Sequence, residues 1–295
     1  MVKNLEKKKS YYKLILPGFI IYIAIILFPV LVSFFLSFTK WRHFKLQSFV
    51  GLQNYINIFK DPSFQHAIWN NIQITLISVL GQIPLGILSA YILYRKWVKG
   101  NKFFEMMIFL PAIISNVVVA LLWNRIFSPV GIYTDFVRII TGNPDYIVKI
   151  FENRNWAMIP ILAVLLWQCT SLYMVIFLAN MQRIPESVFD AAMIDGASES
   201  IIRRKIVLPE LSGVIFTCSV LAISGSLKSF DLVFAMTGGG PVDYTSVMAL
   251  YMYKQTFTFN NYGYGSAVSI IIVLLSVGLI TLVNNIYKKA QKKYN

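Results

Sequence analysis

The chain has 295 residues, 57% of them hydrophobic and only 14% charged, with a mean hydropathy of +0.62. Ordinary soluble domains carry about 25% charged residues, so the composition excludes a soluble globular protein and indicates an integral membrane one. The formal net charge of +14 does not imply a nucleic-acid partner, because the basic residues flank apolar runs, where they set topology and meet anionic lipid.

A spanning helix needs about 20 mainly apolar residues. Residues 14–38, 67–93, 106–127, 156–179, 211–234 and 267–286 qualify. The first run is too long for a signal peptide, and no small-residue cleavage site follows it at Phe38-Thr39-Lys40-Trp41, so it is expected to be retained. Pro29, Pro84, Pro111 and Pro160 lie inside runs and predict kinks, which spanning helices tolerate when neighbours satisfy the freed carbonyls. Loop one, 40–66, holds Gly51-Leu52-Gln53-Asn54-Tyr55 and Asp61-Pro62-Ser63-Phe64, turn signals around a short amphipathic helix. It also holds both histidines, His43 and His66, which read as solvated surface. Loop three, 128–154, is polar and aromatic without a clear period. Loop five carries Thr237-Gly238-Gly239-Gly240-Pro241, which cannot continue a helix and allows a tight turn.

Positive charge falls on one side. Lys3, Lys7, Lys8, Lys9 and Lys13 lie at the N-terminus, and Arg95, Lys96, Lys99 and Lys102 in the second loop. Arg183, Arg203, Arg204 and Lys205 lie in the fourth loop, and Lys288, Lys289, Lys292 and Lys293 in the tail. These are 17 of the 27 Lys and Arg, and the positive-inside rule puts that side, with both termini, in the cytoplasm. The organisation expected is an all-α integral membrane protein: a basic segment 1–13, a six-span domain 14–287 and a basic tail 288–295.

No HExxH, GxSxG or GxxxxGK[ST] occurs, and Cys169 and Cys218 sit in predicted spans without CxxC spacing. Neither an enzyme nor a metal or nucleotide site of the chain's own is expected.

The fourth loop, 181–210, is the most informative segment. Pro185 suits a helix start and Glu186 the positive end of the helix dipole. Val188, Ala191, Ala192 and Asp195 share one face by their i, i+3, i+4, i+7 spacing, and Ala191 and Ala192 allow close approach by a partner. Gly196 fits a left-handed helix end, Ser198 is placed to cap a second helix, and Pro209 marks the entry to the next span. Alone, this pattern would also describe a helical pair lying on the lipid surface.

Asp190-Ala191-Ala192, Asp195-Gly196-Ala197 and Ile206-Val207-Leu208-Pro209 resemble the "EAA" loop of permease subunits of binding-protein-dependent ABC importers, with matching spacing. Two positions depart from the pattern: Asp190 where the family usually has Glu, and Arg203 where an aromatic is common. Gly51–Tyr55, Phe109-Leu110-Pro111-Ala112-Ile113-Ile114-Ser115, and Phe230-Asp231-Leu232-Val233 with Thr237–Pro241 are similar to the carbohydrate-uptake branch, the maltose, lactose and glycerol-3-phosphate permeases.

The resemblance implies a second homologous permease, a cytoplasmic ABC ATPase dimer that uses ATP and Mg, and an extracytoplasmic solute-binding protein. It implies a sugar or oligosaccharide as solute, with glycerol-3-phosphate or a polyol as alternative, in a bacterial or archaeal cell membrane. Asp190, Ala191, Ala192, Asp195, Gly196, Ala197 and Pro209 would then dock the ATPase. Carried over by distance from that loop, Cys169, Leu172, Tyr173, Gly225, Ser226, Ser229 and Phe230 would line the solute path. Ionisable groups inside a span are functional candidates, which adds Asp231 and Lys228, three residues apart and able to share a helical side. Asp231 is the only acidic residue in the six runs, which argues against a stand-alone ion-coupled transporter.

Overall fold

The computed structural model describes residues 15–42 and 45–292; the basic segment 1–13, His43 and Lys293 lie outside them. In chain order the elements are α1 (Ile15–Leu36), the strands β1 (Thr39–Arg42) and β2 (Lys45–Phe49), α2 (Gln53–Lys60), α3 (Pro62–Tyr94), α4 (Asn101–Ile113), α5 (Asn116–Ile126), α6 (Ile132–Thr141), α7 (Met158–Met181), α8 (Glu186–Ile194), α9 (Glu199–Glu210), α10 (Ser212–Leu227), α11 (Asp231–Thr237), α12 (Met248–Tyr253) and α13 (Tyr262–Gln291). Helices α1, α3, α7 and α13 are long and apolar enough to cross a membrane. The pairs α4 with α5 and α9 with α10 each make a further span if counted as one, bent by 98° and 66°. The six-span expectation is met when each bent pair counts as one span, and the third predicted run is broken at Ile114-Ser115.

Proline explains much of this shape. It lacks the N–H that would bond four residues back, and its ring presses on that carbonyl. Three times the chain answers with a wide π turn ending two residues before the proline: 23–27 before Pro29, 78–82 before Pro84, and 203–207 before Pro209. Pro160 lies in the first turn of α7, where no partner is lost. Pro111 sits inside α4, which ends at Ile114 in extended backbone.

Two compact units divide the chain, residues 1–61 with 252–273 and residues 62–251 with 274–295. In the first, β1 and β2 form an antiparallel hairpin with a register shift at Lys40/Trp41. Phe38 packs among Phe34, Phe49 and Tyr55. The buried Asn54 donates to the carbonyls of Ser37 (2.8 Å) and Thr39 (3.0 Å), which fastens α2 to the end of α1.

In the second unit, α3 and α7 form the spine. Gly86 faces α7 so closely that a Cβ there would lie 2.7 Å from the Tyr173 Cβ, and one at Gly81 would meet the Leu166 side chain at 2.9 Å. Small residues at such crossings let helix backbones approach closely in membranes. At one end of this unit Arg95, after α3, meets Glu199 of α9, and Phe216 of α10 stacks on Tyr287 of α13 at 4.6 Å. The second loop, the fourth loop and the last turns of α13 thus lie at one end of this unit.

Candidate functional site

The hairpin of α8 and α9 is built to be held on one side and open on the other. Its turn is a full Schellman motif: Ala197 N–H donates to Ala192 O (2.9 Å) and Gly196 N–H to Met193 O (3.0 Å), with Gly196 at φ +76. Ser198 takes the N-cap position of α9 but makes no side-chain cap bond. On the held side Phe189, 2% exposed, packs on Tyr94 at 5.6 Å and lies under the Arg95 guanidinium. Ile202 and Val207 are fully buried. Arg95 Nε and Nη2 donate to the two Glu199 carboxylate oxygens at 2.6 and 3.2 Å, and Tyr91 OH donates to Oε1 at 3.0 Å. The hydrogen-bonded Glu199 carboxylate raises the Arg95 pKa above its ordinary value.

On the open side Ile194 is 86% exposed, with Met193, Val188 and Ile201 also out. Of the face expected from spacing, Val188, Ala191 and Asp195 point outward, while Ala192 is half-buried against the core. Asp190, Gly196 and Pro209 are exposed, and Ala197 is half-buried. A cavity of about 530 Å³ beside α8 is lined by Arg95, Glu105, Glu186 and Asp190 among others.

A second cavity, of about 220 Å³, lies between α3, α5, α7 and the junction of α10 with α11. Cys169, Tyr173, Gly225, Ser226, Ser229, Phe230 and Asp231 all line it, together with Lys228. Leu172 does not; it is 48% exposed on another face of α7. The expected shared helical side of Lys228 and Asp231 is corrected. Helix α10 ends at Leu227, Phe230 with φ −137 is the N-cap before α11, and the two charges make no ion pair with each other among the described residues. Lys228 instead closes the C-terminus of α10 and Asp231 opens α11, each of the sign that its helix end favours.

Four carboxamides organise this region, and a search for ionisable groups alone passes over them. Gln168 donates to Asn116 Oδ1 (2.9 Å) and to Ile114 O (3.3 Å), satisfying backbone freed by the break between α4 and α5. Gln82 donates to Leu165 O at 3.1 Å. Asn71, 1% exposed, donates to Ser226 O (2.8 Å) and accepts from Met248 N–H (2.7 Å). One side chain thereby serves the last turn of α10 and the first residue of α12, two helix ends with orphan groups. A carboxamide inside an apolar run is costly unless bonded, and that was the available signal.

The model of the family described as "Binding-protein-dependent transport system inner membrane component" matches residues 82–294. The multiple sugar-binding transport system permease protein MsmF of Streptococcus mutans serotype c is 33% identical over 281 residues, 95% of each chain. The arabinooligosaccharides transport system permease protein AraP of Bacillus subtilis is 29% identical over 94% of this chain and 88% of its own. A chain of the crystal structure of a bacterial ABC transporter involved in the import of the acidic polysaccharide alginate superposes with TM-score 0.83, at 22% identity, over 97% of this chain and 98% of that one; at that identity the likeness speaks for the fold alone. With spans, hairpin and family model in agreement over most of its length, this chain belongs to the inner membrane components of binding-protein-dependent transport systems and is a multi-pass membrane protein.

Proposed function

We propose that this chain is the permease subunit of a heteromeric ABC importer that carries a sugar or oligosaccharide into the cytoplasm. A second permease completes the pore, and a solute-binding protein delivers from outside. An ATPase pair that binds ATP and Mg works below, and this chain binds neither. The basic end, with both termini, faces the cytoplasm, as the positive-inside rule requires. The α8–α9 hairpin seats on one ATPase, with Ala191, Met193, Ile194 and Asp195 on the open side and Asp190 as the charged contact. ATP-driven closure displaces the hairpin, and rigid helices carry that displacement to the cavity.

The observation that carries the solute assignment is the cavity lining. Tyr173 and Phe230 offer aromatic faces beside Gln82, Asn116, Gln168 and Ser229, which suits a molecule with apolar CH faces and many hydroxyls. Relatives with sugar and arabinooligosaccharide in their names support it. The test is purification of the tagged chain from native membranes, identification of its companions by mass spectrometry, and uptake assays on the recovered complex. The reading expects an ABC ATPase, a second permease and ATP-driven sugar uptake. Uptake of glycerol phosphate or a polyol alone would move the solute class, and a chain recovered reproducibly alone would overturn the assembly.

A further inference from the structure

We infer that Arg95 is a positioning residue whose grip on Glu199 makes α3 the rod that carries hairpin movement to the cavity. This rests on the hairpin being the ATPase seat. The other contacts on the held side, Phe189 and Ile202 against the core, are apolar; such contacts resist separation but define direction poorly. The two-pronged guanidinium–carboxylate pair fixes both distance and angle. Its 22% and 34% side-chain exposure leaves it partly screened, so its contribution lies in geometry more than in stability.

Tyr91 OH holds the same carboxylate one turn before Arg95. Glu199 is therefore gripped at two points one turn apart, from the last turn of α3 and from its C-cap residue, an arrangement that can transmit rotation as well as pull. Thirteen residues up the same helix, about 20 Å at the helical rise, Gln82 and then Ser78 stand in the cavity wall. The π turn 78–82 lies at that level. Such turns occur at functional positions, and a small axial movement there re-aims both side chains. The close approach of α7 at Gly81 and Gly86 obliges Gln168, Cys169 and Tyr173 to travel with α3.

Cys169 reports on this directly, because it lines the cavity and the chain has one other cysteine, the buried Cys218. In the purified complex, with Cys218→Ser as background, maleimide labelling of Cys169 is followed by mass spectrometry with and without ATP and vanadate. The labelling rate is expected to change about fivefold or more on trapping. Glu199→Gln should reduce that change to less than about twofold while the ATPase stays bound. The exchange Arg95→Glu with Glu199→Arg should restore it. A Glu199→Gln complex that responds like wild type would overturn the inference, as would loss of the response together with the bound ATPase, or an exchange that restores nothing. ATP-gated Cys169 without uptake of any sugar would discard the solute reading and keep the rod; a wild-type chain carrying no ATPase would discard both.

Discussion

The hairpin and the second cavity are opposite arrangements of apolar and polar side chains. In the hairpin the apolar Ile194 and Met193 are turned out, and a charged pair, Arg95 with Glu199, sits on the held side. In the cavity carboxamides and hydroxyls are turned in, and most already have a bond: Gln168 to Asn116, Gln82 to Leu165 O, Ser226 with Thr75. An exposed apolar tip on a rigid turn suits a partner protein that stays, whereas a lining whose polar groups are largely satisfied suits a solute that must leave.

Substitutions can break either half of that contrast. The largest effect is expected from Asn71→Leu, which strands the buried Met248 N–H and takes from the Ser226 carbonyl its side-chain donor, leaving it the weaker 3.3 Å bond from Ser229 N–H. The stranded N–H costs about 1–3 kcal/mol, so thermal unfolding of the purified complex should move down by several degrees and the α10 end of the cavity should loosen. Ser226→Trp fills the wall from a position 4% exposed; uptake should be abolished while ATPase recovery stays intact, and unchanged uptake would move the path elsewhere. Gly196→Val forces a β-branched residue to φ +76, although nothing lies within 4 Å of its Cβ. The left-handed backbone costs about 1–2 kcal/mol, enough for roughly tenfold loss of coupled transport without loss of membrane insertion. Gly196→Asn, which tolerates that backbone, should retain most of it. Leu172→Ala, outside the cavity, should leave uptake within about twofold of wild type, the usual range for exposed sites.

The spans were legible because lipid demands long apolar runs, and composition alone reveals them. The hairpin was legible because its signals are local: the acidic start of the first helix, the glycine turn, the serine before the second helix and the proline exit all lie within about 25 residues. Proline outcomes were not legible. Pro84 and Pro209 follow π turns, Pro160 opens a helix and Pro111 precedes a sharp break, because the result depends on which distant group takes up the freed carbonyl. Gln168 does so for Ile114 from 54 residues away. The end of α10 escaped notice for the same reason, since the capping Asn71 is 155 residues from Ser226 in sequence. Cavity positions on α7 and α10 followed from their distance to the hairpin, except for Leu172, which faces away. Those on α3 and α5, Ser78, Gln82 and Asn116, did not, since only the packing of four helices brings them there.

The most direct test of the central claim, that the open hairpin face is the ATPase seat, is site-specific photo-crosslinking in native membranes. A benzophenone amino acid at position 194 should capture a cytoplasmic ABC ATPase, and the same probe at position 172 should not. An ATPase captured equally from both positions, or a position-194 probe that reacts only with lipid, would contradict the account.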